Sequence, residues 1–570
     1  MAQQPALAPG TAHSPALTIP SLLVERLELD ARRPALLIPR GGQFETVSWA
    51  QLYQAAARLA AGLNRLGVQR GDRVAVVAPN RYEWVVCDLA ILGLGAVHVP
   101  IHNALSGPQI AWQIRDCGAR AALLAGPDQA ARLAGQQDLP PGVAYASFDP
   151  CNTTLAGARV ASWSEWWGDA AEGGRLIQEA AAAVAPAQLA TILYTSGTTG
   201  EPKGVMLSHG NLISNARATL EAFGHEPEDL RLCWLPLSHV FARTCDLYIT
   251  LVAGTSLALA EAPETVMANC KQVRPTLMCG VPYFFEKVQR TLCEQGREQE
   301  PQALADAFGG RIRALTSGGA ALPDHVARFY HQRGVMLVQG YGLTESSPVI
   351  TVSTPRHMKI GTVGRPVPGV EVRIADDGEI LTRGPHVMLG YWNKPQATAE
   401  AIRDGWLHTG DLGELDPDGY LRITGRKKEI IVTAAGKNVA PVYLEALLTE
   451  DPLIQQAMVV GDGRKFLAAL IVPAPEALRA EIIARRIPVS TPAEALRHPQ
   501  VLALNEEHIR ARLAAVSHYE QVGKFTLLPR AFSIDQGELT PTLKLRRGVI
   551  QEHFAREIEA MYAEPSHAAS

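Results

Sequence analysis

Long uninterrupted apolar runs are missing from this sequence, and with them any segment fit to cross a bilayer. A spanning helix needs about 18 or more consecutive apolar residues. The stretch 247–260 is too short and contains Gly254 and Thr255, and 89–114 is broken by His98, Pro100, His102, Asn103 and Pro108. Paired cysteines are missing too: Cys87, Cys117, Cys151, Cys233, Cys245, Cys270, Cys279 and Cys293 are scattered and form no C-x-x-C pair. That argues against a zinc site or disulfide framework and fits a reducing cytosol. No sign of charge dominates, with 53 Lys and Arg against 57 Asp and Glu and a net charge of −4. A general nucleic-acid binder would show a basic excess or stripe, although a local phosphate pocket remains compatible. Residues 1–18 lack the basic start and apolar run of a signal peptide and read as a Pro/Ala-rich disordered tail. These absences predict a soluble cytoplasmic protein, with loose peripheral attachment at the inner membrane surface left open.

What is present is ample core material. Of 570 residues, 47% are apolar and 19% charged, which suits a large α/β body with a smaller unit. Ser48 begins an S-x-x-Q capping box, followed by Leu52, Ala56, Leu59, Leu63 and Leu66 at helical spacing. Residues 74–77 read as a buried strand, Asn80 and Glu83 as a second capping box, and 96–100 as the next strand. This β-α-β pattern predicts a mostly parallel sheet covered on both faces. It continues through candidate strands at 191–194, 232–235, 256–260, 277–280, 313–316 and 335–339. From Thr362 to about Tyr420, short strands punctuated by Gly and Pro predict a small β-barrel-like subdomain. The Ala-rich segment from about 125 to 188 carries no readable chemistry. Beyond Ile423 the turn-like GRKKE at 425–429 precedes a new apolar pattern, and Ile550, Phe554, Ile558 and Met561 share one helical face suited to docking within a small domain.

The most informative segment is TILYTSGTTGEPKGVMLSHGN at 191–211. A buried strand leads into Thr195, Ser196, Gly197, Thr198, Thr199 and Gly200, followed by Lys203 and Gly204. Small residues let backbone N–H groups approach a polyphosphate, hydroxyls add donors, and the lysine adds positive charge. It is not a Walker A loop, because Gly204 follows the lysine where Ser or Thr would be required. The loop resembles the signature of the AMP-binding, adenylate-forming superfamily, which includes acyl-CoA synthetases, nonribosomal peptide adenylation domains and firefly luciferase.

Further blocks extend the resemblance over about residues 20–563. SGGAAL resembles the segment along the adenine, implicating Gly318, Gly319 and Ala320. QGYGLTESSP is similar to the block that stacks an aromatic residue on adenine, here Tyr341 between Gly340 and Gly342, with Thr344 and Glu345 near the α-phosphate and Mg²⁺. WLHTGDLGELDPDGYLRITGRKKEII resembles the ribose block, implying that Asp411 and Arg426 hold the ribose hydroxyls with Ile423 packed nearby. Lys428 falls at the family's hinge, TAAGKNVAP supplies Gly436 and Lys437 to the thioester side, and ELTPTLKLRR puts Lys544 at the mobile catalytic lysine.

The resemblance implies a two-step ligase using ATP, Mg²⁺ and CoA, with Thr195 and Glu345 toward the metal. It also implies an N-terminal adenylate-forming domain at 19–425 and a mobile C-terminal α+β domain at 426–570. LPLSHVFAR resembles the segment that sets a histidine, His239, beside the acyl and phosphate sites. With VPYFFEKV it is similar to long-chain, bubblegum-type acyl-CoA synthetases, so the expected acid is a long-chain fatty acid. The aromatic cluster Tyr283, Phe284 and Phe285 is readable as pocket wall or as core. Two alternatives stay open: transfer of the acyl group to a carrier protein, although no carrier domain follows Lys544, and a non-catalytic nucleotide-binding relative.

Overall fold

The computed structural model describes residues 18–195, 202–300, 302–533, 535–539 and 545–563. Two large, mainly parallel sheets form the body. The first has the spatial order Arg365–Pro366, Val349–Val352, Leu337–Gly342, Ala314–Ser317, Leu277–Gly280, Leu230–Cys233, Ser256–Leu259, Pro34–Arg40 and Gln43–Ser48. Its six inner strands are parallel and its flanking pairs antiparallel. The second runs Gly390–Tyr391, Lys203–Ser208, Leu189–Thr195, Val97–Ile101, Arg73–Val77, Ala119–Leu124, Ala144–Ser147 and Ala161–Ser162.

Strand pleating explains how one chain fills several layers. On Arg73–Val77, Val74 and Val76 enter the core between the two sheets, whereas Ala75 and Val77 face the outer core with Ile110 and Ile114. The central core also takes Trp84, Leu52, Leu59 and Leu212 from helices Tyr82–Gly93, Trp49–Arg65 and His209–Phe223. The outer face of the first sheet is covered by Phe285, Phe308, Phe329 and Tyr330. Burying each such side chain contributes roughly 1.5–3 kcal/mol before chain entropy is subtracted.

The expected capping box of the helix Trp49–Arg65 is present: Gln51 N–H donates to Ser48 Oγ at 3.2 Å and Ser48 N–H to Gln51 Oε1 at 2.8 Å. The second box is corrected. The helix Tyr82–Gly93 starts from Arg81 without a side-chain cap. Asn80 instead donates to the Leu235 carbonyl at 2.7 Å and accepts from Leu237 N–H at 2.8 Å, while Glu83 pairs with Arg81 at 2.6 Å. A loop from the other sheet outcompetes the local cap for the Asn80 amide. The strand expected at 232–235 is likewise displaced, lying two residues earlier at Leu230–Cys233. The segment with no readable chemistry supplies the helix Ala170–Ala183, whose Ile177 and Ala180 are buried.

The small β unit pairs Glu371–Ile374, Glu379–Arg383, Trp406–Leu415, Ile402–Arg403 and Leu421–Arg426 in an antiparallel sheet. Further along, Ile454–Val460, Leu467–Pro473 and Val522–Leu527 form a three-stranded sheet. Ile550, Phe554 and Met561 pack on it with Ile558 beside them, the stripe bending at Phe554 where one helix ends and the next begins. Among the described residues, no helix is long and apolar enough to cross a membrane.

Burial of imidazoles makes the fold acid-sensitive. His98, His209 and His386 are each pushed down to about 4 from 6.5, first by burial and, for His98 and His209, next by Arg243. The unfolded chain binds protons at these sites that the folded chain refuses. Stability present above a pH of about 6.5 is therefore lost as the pH falls toward about 4. Asp246, pushed up to about 6 by burial, opposes this, as do Glu286, Glu445 and Glu450, each raised first by burial. Urea titrations across this range should show a loss on the order of several kcal/mol by the acid end; a stability independent of pH would contradict neutral buried histidines.

Candidate active site

Parallel strands that end at one edge of a sheet deliver their following loops to the same place. In the first sheet, Leu230–Cys233 leads to His239, Leu277–Gly280 to Val281, Ala314–Ser317 to Gly318, Gly319 and Ala320, and Leu337–Gly342 continues to Thr344 and Glu345. Close approach sets the residue types there. A Cβ on Gly342 would fall 1.7 Å from the Pro348 carbonyl oxygen, and one on Gly318 would meet the Phe241 ring at 2.8 Å. Gly318 N–H also donates to the Gly280 carbonyl at 3.1 Å. Gly319 and Ala320 are exposed beyond it, and Gly340 sits on the strand before Tyr341.

The second sheet contributes Leu189–Thr195, whose antiparallel partner Lys203–Ser208 sets Thr195 opposite Lys203. Ser196, Gly197, Thr198 and Thr199, between these strands, lie outside the described residues, as does Lys544. Lys203–Ser208 then pairs with Gly390–Tyr391, bringing the Lys203 ammonium 4.8 Å from the centre of the Tyr391 ring. Tyr391 in turn donates its hydroxyl to Glu345 Oε1 at 2.8 Å. Burial, and next the Glu345 charge, hold the Tyr391 phenol well above its usual range, so it stays a donor. The Glu345 carbonyl accepts from Met388 N–H at 2.9 Å, fixing the same turn a second time.

A second cluster adjoins it. Asp411 and Arg426 are directly opposite on the small antiparallel sheet, with Arg426 Nε 3.0 Å from Asp411 Oδ1. Tyr341 Oη donates to Asp411 Oδ2 at 2.8 Å, and its ring packs with Ile423 against Val363, Ile380 and Leu421. Burial and then Asp411 raise the Tyr341 phenol far above its ordinary value. Burial alone would lower Arg426, but Asp411, Glu429, Tyr341 and Glu345 outweigh it and the guanidinium is raised. The Glu345 charge therefore acts on both clusters.

His239 is half-buried at the start of its helix, its Nδ1 accepting from Phe241 N–H at 3.2 Å. Phe284 stacks within 4.8 Å of Trp234, Phe285 is fully buried against Tyr330, and Tyr283 is exposed. Phe285 is a core residue, and the half-buried Phe284 packs against the same core. Lys428 is exposed between two anchored neighbours: Lys427 reaches Asp377 at 2.6 Å and Glu379 at 3.1 Å, and Glu429 accepts from Arg547 at 3.4 Å. Gly436 and Lys437 lie on the exposed loop between Ile431–Val432 and Asn438–Val439, with Lys437 Nζ 5.7 Å from the Tyr519 ring. The sequence reading missed Tyr391 and Lys427. The aromatic pair Tyr391-Trp392 in GYWNKP was the available signal for the first; a lysine in a charged turn gives none.

No group of three or more His, Cys, Asp or Glu among the described residues is arranged to hold a metal by itself. Glu345 and Thr195 are a carboxylate and a hydroxyl, hard oxygen donors that fit a cation carried mainly by substrate phosphates.

The chain matches the family model described as AMP-binding enzyme over residues 24–392 and that of the AMP-binding enzyme C-terminal domain over 428–566. It is 38% identical to the long-chain-fatty-acid–CoA ligase FadD15 of Mycobacterium tuberculosis, covering 91% of this chain and 93% of that one. It is 29% identical to the long-chain-fatty-acid–CoA ligase ACSBG2 of Mus musculus, covering 97% and 94%. Among solved structures, O-succinylbenzoate coenzyme A synthetase of Bacillus subtilis in complex with AMP superposes with a TM-score of 0.70 at 25% identity, over 93% of this chain and 97% of that one. The hairpin that sets Thr195 opposite Lys203, the Tyr341–Asp411–Arg426 cluster and the two matched family models lead to one conclusion: this chain belongs to the family of AMP-binding enzymes.

Proposed function

We propose that the protein is an ATP-dependent long-chain fatty acid:CoA ligase. The observation that carries this reading is its likeness along nearly its whole length to ligases of that name, joined to a site whose charges suit a nucleotide triphosphate. A free carboxylate is a poor electrophile. In the first step its oxygen attacks the α-phosphorus of ATP, the bond to the bridging oxygen breaks, and pyrophosphate leaves with an acyl-adenylate formed. In the second, the CoA thiolate attacks the acyl carbon and AMP departs with the former anhydride oxygen.

The first step brings anions together, so positioning and charge stabilisation must supply most of the catalysis. Tyr341 would stack on the adenine, with Gly318, Gly319, Ala320, Gly340 and Gly342 letting the backbone approach. Asp411 accepts from Tyr341 and pairs with Arg426, and a carboxylate retains lone pairs for ribose hydroxyls. Ile423 would pack beside the nucleotide. Lys203, with Thr195, Ser196, Gly197, Thr198 and Thr199, would hold the outgoing phosphates. Thr344 and His239 would flank the α-phosphate and the acyl carboxylate. Mg²⁺, held by Glu345 and Thr195, would supply charge neutralisation on the phosphates. Lys544 would neutralise the contact between carboxylate and α-phosphate. Rotation about Lys428 would then exchange Lys544 for the loop of Gly436 and Lys437, leaving separate residues to serve the two half-reactions.

AMP release from ATP and Mg²⁺ should require both acid and CoA and should peak at long acyl chains. Adenylate formation without CoA-dependent turnover would instead indicate a carrier-protein acceptor, and silence with every acid a non-catalytic relative. Replacing Lys544→Ala should lower adenylate formation by at least about 100-fold, measured as pyrophosphate exchange, while sparing ATP binding and thioester formation from supplied acyl-adenylate; an unchanged exchange rate would remove that lysine from the mechanism. Asp411→Asn weakens charge-assisted hydrogen bonds worth about 1.5–3 kcal/mol each. It should raise the KM for ATP roughly 10- to 100-fold and leave the KM for the fatty acid nearly unchanged; an unaltered KM for ATP counts against the ribose role.

A further inference from the structure

The core between the sheets contains a charged cluster that the reaction chemistry does not use. Arg243 is fully buried. Its Nη2 donates to Asp88 Oδ1 at 2.5 Å and its Nη1 to Thr191 Oγ1 at 2.8 Å. The Thr191 hydroxyl in turn donates to the His98 carbonyl at 2.6 Å. His98 Nδ1 lies 2.6 Å from Asp88 Oδ1 and, facing a carboxylate that can only accept, carries the proton. The guanidinium also faces the rings of Trp84 and Tyr248 at 5.7 and 5.4 Å.

Such a cluster is poor at merely holding layers together. Buried ion pairs lose so much hydration that apolar residues of similar volume often serve stability as well or better. The desolvation is incompletely repaid here, since Arg243 Nε, Asp88 Oδ2, His98 Nε2 and Trp84 Nε1 make no hydrogen bond among the described residues. What distinguishes the cluster is what it joins. Thr191 lies on Leu189–Thr195, the strand that ends opposite Lys203. Arg243 N–H donates to the His239 carbonyl at 3.2 Å, so the two residues stand one turn apart on the same segment. Arg243 also opens the π-helical turn Arg243–Tyr248, a widening common at functional positions. At the other end of that turn, Tyr248 Oη reaches back to Asp88 at 3.3 Å.

We propose that Arg243 is a positioning residue for adenylation: its buried, forked guanidinium sets the strand that ends in Thr195 at a fixed distance from the helix that begins at His239. One fork arm holds the strand through Thr191 and the other is held by Asp88, so neither arm can shift without breaking a charge-assisted bond. The proposal rests on the reading of the Thr195 loop and His239 as parts of the reaction site. The Tyr341–Asp411–Arg426 cluster lies outside this network, so ATP binding should be little affected when the fork is lost.

Three variants separate positioning from stability, read by pyrophosphate exchange and thermal unfolding with wild type alongside. Arg243→Lys keeps the charge but cannot bridge both partners. Asp88→Asn combined with Arg243→Met removes both charges while keeping an acceptor for His98 and Tyr248. Thr191→Val leaves the ion pair intact and deletes only the hydroxyl on the strand. The expected result is a kcat reduced about 10- to 100-fold in the first two and several-fold in Thr191→Val, with KM for ATP and acid within about threefold and the double variant unfolding near the wild-type temperature. A double variant that unfolds normally and keeps full kcat overturns the proposal. So does an unchanged kcat in Thr191→Val, even if both Arg243 variants fail to fold. A wild type without exchange removes the underlying functional reading and the proposal together, whereas exchange by wild type with insensitive variants removes the proposal alone.

Discussion

The Lys203 side of the site depends on one antiparallel ladder, that between Leu189–Thr195 and Lys203–Ser208. A parallel sheet carries its chain ends away from one another, but this reversal returns the chain beside Thr195 and sets Lys203 opposite it. Because Lys203–Ser208 then lies toward the sheet edge, it has a free side to pair with Gly390–Tyr391. That short pairing brings the Tyr391 ring under the lysine and its hydroxyl to Glu345. A cation, an aromatic ring and a carboxylate from three distant segments thus meet through backbone hydrogen bonding alone. Slipping the ladder by one residue would turn Lys203 to the other face and dissolve the cluster.

The two charge clusters divide a problem that neither could solve singly. A site for a polyphosphate needs cations, yet a bare surplus of cations would repel itself in the absence of substrate. Here Arg426 is paired with Asp411, and the Lys203 ammonium rests on the electron-rich face of a tyrosine. Glu345 acts on both groups, through Tyr391 and through its field at Arg426. If the site takes a polyphosphate as proposed, it would meet cations already held in place, which is the preorganisation that electrostatic catalysis requires.

Legibility in the sequence followed the range of the interaction. The hydroxyl-and-glycine loop stands out in the sequence because phosphate chemistry favours such residue types at consecutive positions, whereas Tyr341, Asp411 and Arg426 are marked only by the family resemblance; the structure brings those three together. The β-α-β order was readable because alternation along Arg73–Val77 and helical spacing from Leu52 to Leu63 are local properties. Asn80 was misread as a cap because its partners, Leu235 and Leu237, come from the other sheet. The Tyr391-Trp392 pair is a local signal, but the meaning of Tyr391 comes from strand pairing with Lys203–Ser208 and is not carried by that pair alone. Asp88, His98 and Arg243 each look like isolated polar residues in apolar runs, and only the packing of two sheets on shared helices makes them one network.

The turn that joins the two parts of the chain explains how a large rotation could leave both intact. Lys427 is tied upstream to Asp377 and Glu379, and Glu429 is tied downstream to Arg547, which itself pairs with Glu445 at 2.5 Å and reaches the Val459 carbonyl at 3.4 Å. Each anchor belongs to one side, and Lys428 lies exposed between them. If the small unit turns as proposed, dihedral change confined to Lys428 breaks neither set of ion pairs. A hinge distributed over several residues would instead have to break and remake the exposed Lys427 pairs and the half-buried Glu429–Arg547 pair on every turnover. On that reading, anchoring on both sides of Lys428 would let one set of groups be exchanged for another between two chemically distinct steps without loosening either part of the chain.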